Sequence, residues 1–365
     1  MTEMTTAMDQ LVTDLYDYNY DFDFDNFNKA MELFDFADNF NIYCKPILII
    51  ICFIGNGLSL VVLNSKDFKD FPQKHLLTII ALLDISVAII FGRNYLSLYV
   101  VPKGTSVDML VHDVSPAVCK SYLYFLYLTT HLSAWTIVLL TLERFFVTWF
   151  PLRFRDILSS KRTLLVWVVM ALTFILIELP LVFIIDYYPE GHSVFTCDFI
   201  SPTWSKMWDY LDLVLMCIGP FLILTVLDSL IIYKLHANKR EMSAMNSSGS
   251  KSNDDKLRGL TAMMLSICLV FIFTTTPLAI YNIGSKSWFA SDDILVMATD
   301  FKQFTILDNL YVLNHSVNFI FYFAVGPRFR EAFLNVFCGC MRRNHLQGSQ
   351  QTASTGLSKN QSIKK

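Results

Sequence analysis

Residues 46–63 read PILIIICFIGNGLSLVVL, an uncharged run that gives way to the polar turn Lys66-Asp67-Phe68-Lys69-Asp70. A bilayer core is about 30 Å thick and takes roughly 20 apolar residues as a helix, so this run is of a length to cross it. Six more runs follow, at about 76–99, 118–142, 164–186, 208–233, 260–283 and 304–325. Across the 365 residues 54% are apolar and 17% charged, and the mean hydropathy is +0.44. A water-soluble domain of this size needs more surface charge than that. The pattern predicts an all-α membrane protein, a seven-transmembrane helix bundle, and shows no internal repeat.

Charge is sorted along the chain. Residues 1–44 carry ten acids and one base, Lys29, for a net −9 in a chain whose total is −3. The loops at 65–74, 151–162 and 234–258 hold thirteen Lys and Arg, against four (Lys103, Lys206, Lys286, Lys302) in the alternate loops. Basic loops stay in the cytoplasm, so the acidic N-terminus is expected outside a plasma membrane and the C-terminal tail inside. Met1–Ala7 is polar and without an apolar core, so no cleavable signal peptide is expected and the first span serves as the targeting element. Three regions result: an acidic extracellular tail (1–44), a transmembrane domain (45–337) and a cytoplasmic tail (338–365). Within the second, Phe329, Phe333, Val336 and Phe337 share one helical face opposite charges, which predicts a short amphipathic eighth helix on the inner leaflet. Cys338 and Cys340 at its end are candidate palmitoylation sites, or two ordinary reduced thiols. Tyr16, Tyr18 and Tyr20 beside acids are candidate sulfation sites in an otherwise solvated tail.

Polar residues inside apolar spans are costly and mark function. In order they are Gly55-Asn56, Leu82-Leu83-Asp84, Cys119, Glu143-Arg144-Phe145 with Pro151-Leu152-Arg153, Trp167, Pro220, Phe271, Pro277, Asn314 and Asn318-Phe319-Ile320-Phe321-Tyr322. Together, across nearly all of 45–340, these resemble the rhodopsin-like G-protein-coupled receptors. The string Asn314-His-Ser-Val-Asn-Phe-Ile-Phe-Tyr322 is similar to invertebrate neuropeptide receptors of the FMRFamide type. There are departures. The family's Asp/Glu-Arg-Tyr is Glu-Arg-Phe here, Phe319 replaces the proline of Asn-Pro-x-x-Tyr, Thr275 stands where the sixth span carries Trp, and Asp228 stands where a tyrosine follows Pro220.

The resemblance implies roles. Cys119 and Cys197 both face the oxidising side, where a bridge would pin the second outer loop. That loop alternates from Ser193 to Ile200 after a Pro189–His192 turn, as a β-hairpin does. Asp84, Ser133, Asn314 and Asn318 match positions that hold sodium in the family, and oxygen ligands suit that ion; a water-filled cluster without sodium fits the same residues. No other cofactor is expected. Glu143 would hold Arg144 by a charge-assisted hydrogen bond until helix movement frees it, with Phe271, Pro277, Asn318 and Tyr322 as the switch. Neither retinal nor an amine is the expected ligand, since the seventh span has no lysine and Leu126 stands at the amine-binding Asp position. The candidate ligand-binding residues are Arg93, Tyr127, Glu178, Trp208, Asp212, Asn282 and Asp308, and for each an internal polar pair is an equal alternative.

These residues imply a receptor that binds an extracellular peptide and activates a heterotrimeric G protein, with kinases and arrestin acting on a Ser/Thr-rich tail. Membrane lipid is its other partner; nucleic acid is not. No His/Cys/Asp set or HExxH motif points to an enzyme. A binding receptor that does not couple remains a second reading. A transporter is a third, weakened by the missing repeat.

Overall fold

The computed structural model describes residues 23–69, 71, 73–100, 115–150, 160–190, 194–244, 251–289, 291, 293–337 and 339. Its first helix, α1, is Phe24–Leu63, forty residues long. It starts some twenty residues before the first apolar run, within the stretch read above as a tail. Asp23 caps it, its carboxylate accepting from the Asn26 backbone N–H at 3.1 Å. The added turns are helical because Phe27, Ala30, Phe34 and Ala37 recur at three- and four-residue spacing, making one apolar stripe among acids. Ala30 and Ala37 are fully buried.

Five more helices follow: α2 (Lys74–Val100), α3 (Pro116–Trp149), α4 (Ser160–Glu178), α5 and α6 (Lys251–Trp288). The fifth, α5, is one continuous helical run made of Pro202–Asp212, Leu213–Ile218 and Gly219–Ala244. After them α7 runs Ile294–Ser316, breaks at Val317 and resumes as Asn318–Val325. An eighth helix, α8, covers 327–337. Among the described residues six helices are long and apolar enough to cross a membrane. The one that falls short is α7, because Asp300, Lys302 and Asp308 interrupt it. It completes the seven-helix bundle by packing on α1, α2 and α6.

Close packing along the α1–α7 seam explains a glycine. A Cβ added at Gly55 would lie 3.1 Å from the Phe319 Cβ and 3.7 Å from the Ser316 carbonyl oxygen. Phe319, standing where a proline was expected, stacks with Phe323 and meets Phe329 and Phe333 of α8. The apolar face of α8 thus packs on the end of α7, and Phe329 is buried beside Phe68.

Pro220 reshapes α5. Leu213–Ile218 is a π turn in which the Gly219 N–H bonds back to the Val214 carbonyl. The Leu215 carbonyl thereby loses its α-helical donor, and the residue five further on is a proline with no N–H. Trp135 of α3 fills the gap: its Nε1–H donates to the Leu215 oxygen at 2.8 Å. In α6, Pro277 similarly frees a carbonyl. The preceding hydroxyls bond backwards, Thr275 to the Phe271 oxygen at 2.7 Å and Thr274 to the Val270 oxygen at 2.7 Å.

Between α4 and α5 the expected hairpin forms. Strand β1 (Ile185–Glu190) pairs antiparallel with β2 (Val194–Phe199), with Tyr187 opposite Cys197. The strands run on through Pro189 and Glu190, and residues 191–193 lie outside the described set.

Candidate ligand and activation sites

The disulfide Cys119–Cys197 ties β2 to the first turn of α3, with Cα atoms 5.6 Å apart. Cys119 is buried with Leu181, Ile185 and Trp208. The bridge therefore anchors the hairpin over one end of the bundle.

Beneath that end lies a cavity of about 430 Å³. Its walls include Phe91 (α2), Tyr122, Leu126, Tyr127 and Thr130 (α3), Asp212 and Met216 (α5), Thr275, Leu278 and Asn282 (α6), and Phe304 and Tyr311 (α7). The charged residues among its described walls are Lys45, Asp212 and Asp308. Lys45 of α1 forms an ion pair with Asp308 of α7. For Asp308, where the sequence left ligand contact and an internal polar pair as equal alternatives, the structure shows the internal pair.

Asp212 is held from behind. His131 of α3 is fully buried between two carboxylates. Its Nδ1 lies 2.5 Å from Glu178 Oε1 and its Nε2 lies 3.1 Å from Asp212 Oδ1. Both ring nitrogens face carboxylate oxygens, so either the ring carries two hydrogens or one carboxyl carries one. The three groups sum to −1 in both cases. Glu178 is 0% exposed, whereas the Asp212 side chain is 20% exposed, so the negative charge meets the cavity at Asp212. Tyr127 packs on both His131 and Trp208.

Of the residues expected to bind ligand, Tyr127, Asp212, Asn282 and Asp308 line the cavity. Glu178 and Trp208 sit behind it, Glu178 bonded to His131 and Trp208 in the cluster under the hairpin. Arg93 lies on α2 with its side chain outside the described set. The sequence reading missed His131, although a histidine within an apolar span carries the same signal as Asp84.

Deeper in the bundle Asp84 is fully buried. Its Oδ1 accepts from Ser133 Oγ at 3.2 Å and from His315 Nδ1 at 2.8 Å, and its Oδ2 accepts from Asn318 Nδ2 at 2.6 Å. Ser133 and Asn318 were expected there; His315 was not. Asn314 is buried, and no hydrogen bond between it and Asp84 is seen among the described residues. Facing a carboxylate oxygen, the His315 and Asn318 nitrogens must be donors. They present hydrogens where an alkali cation needs oxygen lone pairs, so this set does not fit sodium.

At the far end Glu143 and Arg144 are both buried. The Arg144 guanidinium donates to Gln73 Oε1 at 2.7 Å and lies over the Phe71 ring. Glu143 Oε1 accepts from Thr163 of α4 at 3.4 Å. Gln73 is a partner of the arginine that motif reading did not supply. Phe271 and Tyr322 are buried between the two ends, and the Tyr322 hydroxyl has no hydrogen-bond partner among the described residues.

Residues 55–322 match the family described as "7 transmembrane receptor (rhodopsin family)". The chain belongs to that family. The receptor is 22% identical over 329 residues to the sex peptide receptor of Drosophila melanogaster, covering 81% of this chain and 72% of that one. It is 24% identical over 301 residues to the FMRFamide receptor of the same species, covering 78% of this chain and 51% of that one. The chain therefore spans about half the length of the second relative. Membership makes it a multi-pass membrane receptor and not an enzyme. Cys338, Cys340, Pro151–Arg153, the Ser/Thr-rich tail and Tyr16, Tyr18 and Tyr20 lie outside the described residues.

Proposed function

We infer that this receptor sits in the plasma membrane with its N-terminus outside, binds an extracellular peptide carrying a basic group, and activates a heterotrimeric G protein. The observation that carries the ligand class is the cavity's charge. Lys45 and Asp308 cancel, and Asp212 remains as a carboxylate backed by His131 and Glu178 among aromatic walls. A guanidinium or ammonium group is its natural partner, and the Tyr and Phe walls suit aromatic or apolar side chains beside it. The two relatives named above are receptors, one named for FMRFamide and one for sex peptide, which supports a peptide over a small amine. Binding outside would favour a packing in which Arg144 leaves Gln73 and an inner cleft opens to the G protein.

The test is a screen of short amidated peptides, basic and neutral, on cells expressing the chain, read by calcium and cyclic AMP. Basic peptides should dominate the hits. Asp212→Asn should weaken them by about tenfold or more, as loss of a charge-assisted contact does. Arg144→Ala should abolish signalling while surface expression and binding persist. Hits confined to acidic or neutral ligands would overturn the ligand class, and unchanged signalling in Arg144→Ala the mechanism. Labelling of residues 1–44 in intact cells checks the orientation.

A further inference from the structure

We propose that His315 takes the place of a sodium ion in this receptor, so that its core is indifferent to sodium. The starting point is the mismatch between the donors around Asp84 and the needs of an alkali cation. A carboxylate offers about four lone-pair sites. Three are occupied by hydrogens from Ser133, His315 and Asn318, on three different stretches of the chain.

His315 is not free to swing aside. Its backbone carbonyl accepts from Asn56 Nδ2 at 3.0 Å and from Cys52 Sγ at 3.2 Å, both on α1. Its ring is buried and stands edge-on to Tyr311 at 5.3 Å. The next residue, Ser316, donates to the Leu48 carbonyl of α1 at 2.9 Å. The ring is thereby aimed at Asp84 by contacts on both sides. A diffusible ion that links α2 to α7 is replaced by a side chain that cannot dissociate. The inference does not depend on which ligand the receptor binds.

The experiment is thermal melting of the purified full-length chain in detergent, in about 0.3 M sodium chloride against choline chloride at equal ionic strength. A ligand that binds only the folded state raises Tm by mass action, so a sodium site must show itself there. Wild type should melt at the same temperature in both salts. His315→Ser, which keeps a hydroxyl oxygen and vacates the ring's volume, should gain an upward shift of several degrees in sodium alone. Adding Asp84→Asn should remove that gain. His315→Asn, which offers an amide oxygen in a closer fit, is read the same way should the serine variant fail to fold. A wild-type shift in sodium that Asp84→Asn abolishes would overturn the proposal. So would folded His315 variants that stay blind to sodium.

Discussion

Replacing His131 by Phe keeps an aromatic ring at the position but removes both nitrogens. Two carboxylates are then left without their partner, and their surroundings set the cost. Glu178 is fully buried, its Oε1 bonded to His131 and its Oε2 without a partner among the described residues. Breaking a buried pair by removing one side costs about 3–5 kcal/mol. Asp212 reaches the cavity and stays solvated, so its loss is worth about 0–1 kcal/mol. At about 2–4 °C per kcal/mol for a domain of this order, His131→Phe should lower Tm by roughly 6–20 °C. The test is the fraction of monodisperse receptor surviving a heating series, followed by size-exclusion chromatography in detergent. Glu178→Leu added to His131→Phe should restore most of the loss, because an apolar pair of similar volume replaces the buried ions. Asp212→Asn added instead should restore little. Equal rescue by both, or a single variant as stable as wild type, would refute the reasoning that the cost of losing the imidazole falls on the buried Glu178.

Other outcomes follow from other contacts. Trp135→Phe strips the Leu215 carbonyl of its donor and should cost about 1–3 kcal/mol by the same melting assay, while Pro220→Ala, which returns an N–H to α5, should offset part of it. Gly55→Ala should cost about 1–3 kcal/mol through overpacking, and Phe319→Ala should not relieve it, because the contact is with the Cβ that alanine keeps. Cys119→Ser and Cys197→Ser should each cut surface expression, as counted by flow cytometry, and the double variant should be no worse than either alone, since one bond is lost in all three.

Much of the architecture was legible because the bilayer imposes it. An uncharged run such as 46–63 has few alternatives to a spanning helix, and the alternation of Val194–Phe199 reads directly as a strand. The forty-residue α1 was not legible in the same way. Its outer turns carry more acid than any spanning segment, and the stripe of Phe27, Ala30, Phe34 and Ala37 is narrow. Its partner, the outer half of α7, is more than 250 residues away in sequence. The polar core was half legible. Asp84 announces itself as a lone acid in an apolar span, but its partners come from α3 and α7, and only distance separates His315, which bonds it, from Asn314, which does not. His131 was overlooked for a related reason: one imidazole in an apolar helix looks like a buried ring until Glu178 and Asp212 are brought to either side of it.

The length of α1 has a practical consequence. Forty residues at 1.5 Å each make a helix of about 60 Å along its path, twice the thickness of the hydrocarbon layer, with Pro46 inside it. It is laced to α7 by Phe34 against Phe301, Asn41 with Asn309, Lys45 with Asp308 and Leu48 with Ser316. A shift of α7 is therefore carried into α1 and along it to the first turn, where Phe24 is half exposed. A fluorophore attached there would act as the needle of a gauge, reporting a shift of α7 from well above the membrane without touching the pocket.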